Sequence, residues 1–151
     1  MSTITELLDK IKQYPNKEIK NAIDGAVNGV EVSLTAAQII AMGTTPIEII
    51  AGVAGVAYEV VGWTPIFDYG TVQFTNGGAV VLEDSATTAR SATLAAAVIT
   101  AAADATTAVA GNVGTLLVGS GIYITNATAP FATGDGVARI KVNYRTHVTG
   151  L

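Results

Sequence analysis

Apolar side chains recur along this chain with two different periods, and the change falls near residue 30. Ile4, Leu7, Leu8 and Ile11 stand at i, i+3, i+4 and i+7, with Glu6, Asp9, Lys10 and Lys12 elsewhere around the turn. That is the stripe of an amphipathic helix. Tyr14-Pro15-Asn16 ends it, because the residue before a proline is pushed out of the helical region. A second short helix is expected over Lys17 to Ile23, stopping near Gly25. Helices this short are marginal alone in water, so the segment must dock on its own domain, a sister subunit or a larger partner.

From Val30 the pattern becomes short β-type runs separated by Gly, Pro and Asn. Strands are expected at Val30–Leu34, Pro46–Ala51, Val56–Val61, Thr71–Thr75, Ala79–Glu83, Thr115–Val118, Ile122–Asn126 and Val137–Thr146. Asn76-Gly77-Gly78 reads as a hairpin turn, since Asn and Gly tolerate the positive φ that tight hairpins require. Two helical insertions interrupt the strands. Thr35-Ala36-Ala37-Gln38 has capping-box spacing and opens a helix over 35–42. Ser91 to Ala103 is alanine-rich, with Leu94, Val98 and Ala102 on one helical face, although its threonines leave a strand or loop reading open. The expected fold is mainly β: an antiparallel β-sandwich or barrel-like domain with two short helical insertions and an N-terminal helical segment. Residues 1–29 are read as an N-terminal helical docking segment and 30–151 as a β-rich assembly domain, with Gly25–Gly29 the flexible stretch between them.

Charge follows the same division. Residues 1–31 hold nine of the 20 charged side chains, and the other 120 residues hold eleven. The second region is therefore about 9% charged, against about 25% for a typical soluble domain. A small domain has much surface for its volume and normally keeps it soluble with charge. An exterior of Thr, Ser, Asn, Gly and Ala points instead to coverage by neighbouring chains, with an uncharged polar monomer as the alternative. The net charge of −4 disfavours nucleic acid, whose phosphates call for a basic stripe. Mean hydropathy is positive, yet the long charge-free stretch between Asp104 and Asp135 is studded with Gly, Thr, Ser and Asn and does not make a membrane span. Glu6, Asp9, Lys10 and Lys12 fall where a secretory signal would be apolar, so synthesis in the cytoplasm is expected, without membrane insertion.

The residues that chemistry needs are scarce. There is no cysteine, which excludes disulfides and thiolate metal sites, and His147 is the one histidine. His147 could serve as a base but reads as a solvent-facing strand residue, and no Gly-x-Ser-x-Gly elbow surrounds a serine. Gly52-Val53-Ala54-Gly55 and Gly119-Ser120-Gly121 lack the lysine of a phosphate loop and read as strand connectors. Glu48 and Glu59, on neighbouring expected strands, are the one conceivable carboxylate pair, though isolated solvent-facing glutamates explain them better. Asp135 in Thr133-Gly134-Asp135-Gly136 lacks the further carboxylates of a Ca²⁺ site and reads as a turn aspartate bonding its own backbone. Asn126-Ala127-Thr128 matches a glycosylation sequon, which means nothing without a signal peptide. Trp63, with Phe67 and Tyr69 nearby, is a core or interface anchor or, alternatively, an exposed binding platform. No catalytic, cofactor-binding or metal-ligating residue is assigned, and no cofactor is expected.

One set of runs stands out: the stretch Leu34-Thr35-Ala36-Ala37-Gln38 through Thr45-Pro46-Ile47-Glu48-Ile49-Ile50, then Phe67-Asp68-Tyr69-Gly70 and Gly77-Gly78-Ala79. Phe131-Ala132-Thr133-Gly134-Asp135-Gly136 leading to Ile140-Lys141-Val142-Asn143-Tyr144-Arg145 completes the pattern, which spans about residues 34–146. Together these runs resemble a family of small virion structural proteins of tailed bacteriophages. Where such proteins carry a Pro-x-Pro-Gly-like turn, this chain has Gly52-Val53-Ala54-Gly55. The resemblance implies a capsid-associated or fibre-associated role with no catalytic residues to carry over. The leading expectation is a capsid decoration or cement subunit of a phage virion. It would act as a homo-oligomer, a homotrimer, bound to the major capsid protein or other virion proteins. The alternatives are a tail, fibre or receptor-contact component, using loops around Trp63 and Gly119–Gly121, and a small hydrolase using Glu48 and Glu59.

Overall fold

A computed structural model describes residues 3–6, 24–126 and 128–150. Most of the two expected N-terminal helices, residues 7–23, lies outside these. Ile4–Glu6 are helical. Thr3 and Glu6 cap that turn reciprocally: the Glu6 amide donates to Thr3 Oγ1, and the Thr3 amide to Glu6 Oε2, both at 3.2 Å.

The chain then forms β1 (Val27–Leu34), α1 (Ala36–Ala41), β2 (Ile47–Ile50), β3 (Val56–Asp68), β4 (Phe74–Asn76) and β5 (Val80–Glu83). After a single 3₁₀ turn (Ala96–Val98) come β6 (Ala105–Thr106), β7 (Val109–Ala110), β8 (Ile122–Asn126), β9 (Phe131–Thr133) and β10 (Val137–Val148). The architecture is mainly β, with antiparallel sheets arranged as an open sandwich. A large sheet has the order β1-β10-β3-β6, with β7 also on β3. A smaller sheet has the order β2-β8-β5, and β4 pairs with β9.

Alternation decides which face of the large sheet is buried. In β10, Ala138, Ile140, Val142, Tyr144 and Thr146 point into the core, while Lys141, Asn143 and Arg145 are exposed. β1 repeats this with Val30, Val32 and Leu34 inward. β3 holds the same face across a bulge: Val60 pairs with Tyr144 and Gly62 with Asn143, so Val61 is the extra residue. The bulge resets the parity, and Val60 and Trp63 both point inward despite their odd separation. Opposite them lie Ile50, Leu82, Ile122 and Ile124 of the smaller sheet. An edge-to-face run of Phe67, Phe74 and Phe131, with centroids 6.0 and 6.4 Å apart, fills one end. α1 begins at the expected box, Gln38 N donating to Thr35 Oγ1 and Thr35 N to Gln38 Oε1, and buries Ile39.

Three expectations are corrected. The Ser91–Ala103 helix is reduced to the 3₁₀ turn, because its first half is claimed by strand-like pairing: Leu94 exchanges backbone bonds with Val80 at 2.7 and 2.9 Å, and Ser91 bridges Gly111. Thr115–Val118 is a loop and not a strand, since the Thr115 carbonyl is taken by Arg90 Nη1 at 2.6 Å. Asn76-Gly77-Gly78 is no hairpin: β4 pairs with β9 and β5 with β8. The positive φ is present at Asn76 (58°) and Gly77 (89°), but it turns the chain from one sheet to another. A Cβ at Gly77 would enter the Phe131 ring.

Candidate functional site

Two solvent-facing sheet surfaces carry most of the chemistry outside the core. On the large sheet, β10 presents Arg139, Lys141, Asn143, Arg145 and His147 in one outward row. Apart from buried Arg90, these three cations are all the lysines and arginines from residue 24 onward. Carboxylates from the flanking strands stand at their sides: Glu31 is 3.9 Å from Arg139 and 3.8 Å from Lys141, and Asp68 is 3.7 Å from Arg139. All of these groups are about half exposed, so each pair adds roughly 0–1 kcal/mol at most. Among the described residues, Arg145 has no carboxylate within 4.0 Å.

On the smaller sheet, Glu48, Tyr123 and Glu83 are consecutive partners across β2, β8 and β5. The Tyr123 hydroxyl donates to Glu48 Oε2 at 3.4 Å. Burial and then the neighbouring Asp84 raise the Glu83 pKa, and burial and then Glu48 raise that of Tyr123. Among the described residues, no Lys or Arg nitrogen lies within 4.0 Å of Glu48 or Glu83. Beside the row is a depression of about 320 Å³ lined by Pro46, Glu83, Asp84, Ser85, Thr87 and Tyr123.

The candidate residues from the sequence are dispersed. Glu48 and Glu59 do not sit on neighbouring strands, because the Gly52–Gly55 connector carries the chain into the other sheet before β3 begins. Glu59 instead meets His147, Nε2 to Oε2 3.4 Å, on the large sheet's solvent face, where the histidine is 40% exposed. Trp63 is in the core at 2% exposure and its indole N–H has no hydrogen-bond partner, which removes it as a binding platform. Asp135 does more than close its own turn. Its carboxylate accepts from the Thr71 hydroxyl (2.6 Å) and the Thr71 and Val72 amides (2.8 Å each), tying two loops together. The Thr71 hydroxyl and then the Val72 amide hold its pKa below the usual carboxylate range. Asn126 is buried, donating to the Gly78 carbonyl at 3.2 Å and accepting from the Ala129 amide at 3.2 Å; Ala127 of the sequon lies outside the described residues. The two glycine connectors do meet: a Cβ on Gly52 would stand 2.6 Å from the Gly119 carbonyl oxygen.

One polar feature had no motif to announce it. Asp84 and Arg90 form a buried ion pair, Arg90 Nε to Asp84 Oδ2 2.7 Å with a second bond from Nη2. Burial works against the Asp84 carboxylate, but the Arg90 hydrogen bond, the Thr88 and Ala86 amides and the Arg90 charge together hold its pKa below the ordinary value. The guanidinium's remaining arm holds Thr115, and the Arg90 carbonyl accepts from Asn112 at 3.1 Å. The pair thus anchors the 111–119 loop, which exposes Val113, Leu117 and Val118, with Val113 beside Val61 of β3. An acid and a base six residues apart, on either side of a turn, were the only trace of it in the sequence.

Among the described residues there is no group of three or more His, Cys, Asp or Glu placed to hold a metal ion, and no helix is long and apolar enough to cross a membrane. No protein-family model matches the chain, and no curated protein matches it. Among solved structures, a chain of the "Cyanophage Pam1 capsid asymmetric unit" shares its fold, with a TM-score of 0.51 at 21% identity. The match covers 81% of this chain and 86% of that one.

Proposed function

We propose that this chain is a structural protein of a phage particle: a capsid decoration or cement subunit that acts by self-association, as a homotrimer, and by binding the shell. The observation that carries this reading is the fold shared with a chain of a phage capsid asymmetric unit over most of both chains. The scarcity of charge in the β domain supports it, as does the exposed aliphatic loop, because both suit a surface covered by neighbours. In this reading the protein is not an enzyme, and its partners are its own copies and the major capsid protein or other virion proteins. The charged segment preceding β1 docks on the shell or across a neighbour. Subunits that bind only the assembled particle stabilise it by mass action.

Localisation by electron microscopy of particles tests the assignment. Many copies distributed over the shell are expected, whereas a few copies at the tail would replace decoration with a tail, fibre or receptor-contact role. Deleting residues 1–24 tests the docking segment: the truncated protein is expected to lose capsid binding while keeping its β-type circular dichroism.

A further inference from the structure

The two outward faces described above are complementary in charge. On the large sheet, Gly29, Asn143 and Gly62 are direct cross-strand partners. Across β1, β10 and β3 this row carries a single side chain, that of Asn143, whose Oδ1 stands 3.5 Å from where a Cβ on Gly29 would be; the row continues to Ala110 on β7, and a Cβ on Gly62 would stand 3.2 Å from the Val109 carbonyl oxygen. It is therefore a row of small residues around Asn143, with Lys141 two residues to one side on β10 and Arg145 two residues to the other. Four residues of strand separate those cations, about 13 Å along β10. On the smaller sheet the order is reversed: an aromatic side chain, Tyr123, stands between two carboxylates, Glu48 and Glu83, on the adjacent strands. Two strand spacings separate those carboxylates, about 10 Å. The difference of roughly 3 Å lies within the reach of flexible Lys and Arg side chains.

The geometry points to a second copy of this chain as the occupant: the Glu48–Tyr123–Glu83 row of one subunit seats on the Lys141–Asn143–Arg145 row of the next. Tyr123 lies against the low row of Gly29, Asn143 and Gly62, where the Asn143 amide is available to its hydroxyl, and the two carboxylates meet Lys141 and Arg145. Charge complementarity selects this occupant. Glu48, Glu83 and Arg145 have no oppositely charged Lys, Arg or carboxylate partner within 4.0 Å among the described residues. The Glu31 contact to Lys141 is long and exposed enough to be exchanged. The two surfaces belong to different sheets of the sandwich and face away from the shared core, so the contact is head-to-tail. Such heterologous contacts close into a ring when the rotation allows and otherwise run on as a filament. The inference rests on the self-association proposed above and names the surfaces that produce it.

The test is a charge exchange read by light-scattering mass and sedimentation on the full chain at fixed concentration. Glu48→Lys/Glu83→Lys and Lys141→Glu/Arg145→Glu are each expected to raise the subunit dissociation constant about tenfold or more, since each sets like charges opposite one another. The chain carrying all four changes presents the same pairs with signs exchanged and is expected to regain the parent mass. That rescue separates an interface from a folding defect, and circular dichroism of all three variants is expected to match the parent. If the parent oligomerises and both two-site variants keep its mass, the assignment of faces is wrong while self-association stands. A parent that is monomeric up to millimolar concentration overturns self-association and this inference together. Loss of mass in both two-site variants without recovery in the four-site chain also overturns the pairing.

Discussion

Replacing Asp84 by Asn is expected to destabilise the fold by about 3 kcal/mol, and the structure says why the number is that size. Asparagine keeps the shape and an acceptor oxygen for the Ala86 and Thr88 amides, at 2.9 and 3.1 Å, but its Nδ2 replaces Oδ2, so the charge and both Arg90 hydrogen bonds are lost. Removing one partner of a buried ion pair costs about 3–5 kcal/mol, because the other charge stays behind uncompensated. Arg90 keeps the Thr115 carbonyl and an 11% exposed side chain, which places the cost at the low end of that range. For a chain of this length the melting temperature should fall by about 6–12 °C at pH 7. The assay is calorimetry at fixed protein concentration, because self-association makes melting temperatures concentration-dependent. Acid supplies the control. The Asp84 pKa is depressed in the folded state, so its contribution is present above the unfolded value of about 4 and is lost as pH falls through the folded value. The difference between parent and Asp84→Asn should therefore shrink progressively below pH 4. Removing the stranded charge as well, in Asp84→Asn/Arg90→Met, should recover part of the loss. A melting temperature for Asp84→Asn within about 2 °C of the parent at pH 7 would refute the view that this pair is strongly coupled.

Other expectations follow from single contacts. Phe131→Ala, which empties one end of the aromatic run and the cover over Gly77, should cost about 3–5 kcal/mol in chemical denaturation. Gly52→Ala should cost about 1–3 kcal/mol, because its methyl would meet the Gly119 carbonyl; Gly114→Ala, with open space around it, should be milder, showing only the strain of its positive φ. In an ultraviolet titration Tyr58 should ionise late, since burial and then Tyr144 push its pKa up to about 12. The folded state then holds a proton that the unfolded state gives up, so stability should fall as pH rises from about 10 toward 12, and less steeply in Tyr58→Phe.

Much of the fold was legible where a local rule and the tertiary structure agree. The Thr35–Gln38 box and the alternation of Val137–Thr146 appear almost as expected. β3 was read only to Val61 because the alternation breaks there, and the break is the bulge, not the end of the strand. Pro65 lies within β3. It is accommodated between the β7 pairs at Gly62 and Trp63 and the β6 pairs at Ile66 and Phe67, where no ladder amide is needed from it. β6, β7 and β9 are two or three residues long, too short for any period to show. The Ser91–Ala103 reading failed because alanine's helix preference is weak beside backbone pairing with β5. The two outward rows were half legible: the cations of β10 are visible in its alternation, but Glu48, Tyr123 and Glu83 come together only through the pairing of distant strands.

The position of β10 has a consequence for how the molecule comes into being. Among the described residues it is the furthest along the sequence of the ten strands, yet it lies between β1 and β3 and is the only strand joining them in the large sheet. During synthesis β1 and β3 emerge long before it and have no partner in each other, so their inner edges stay unpaired until about 70 further residues have followed β3. Closing so long a loop precedes any reward from pairing, which makes folding slow and leaves two open edges exposed to other nascent copies. An interrupted chain that stops before Val137 should therefore be a source of aggregation rather than a smaller folded domain, and a supplied β10 peptide should suppress it.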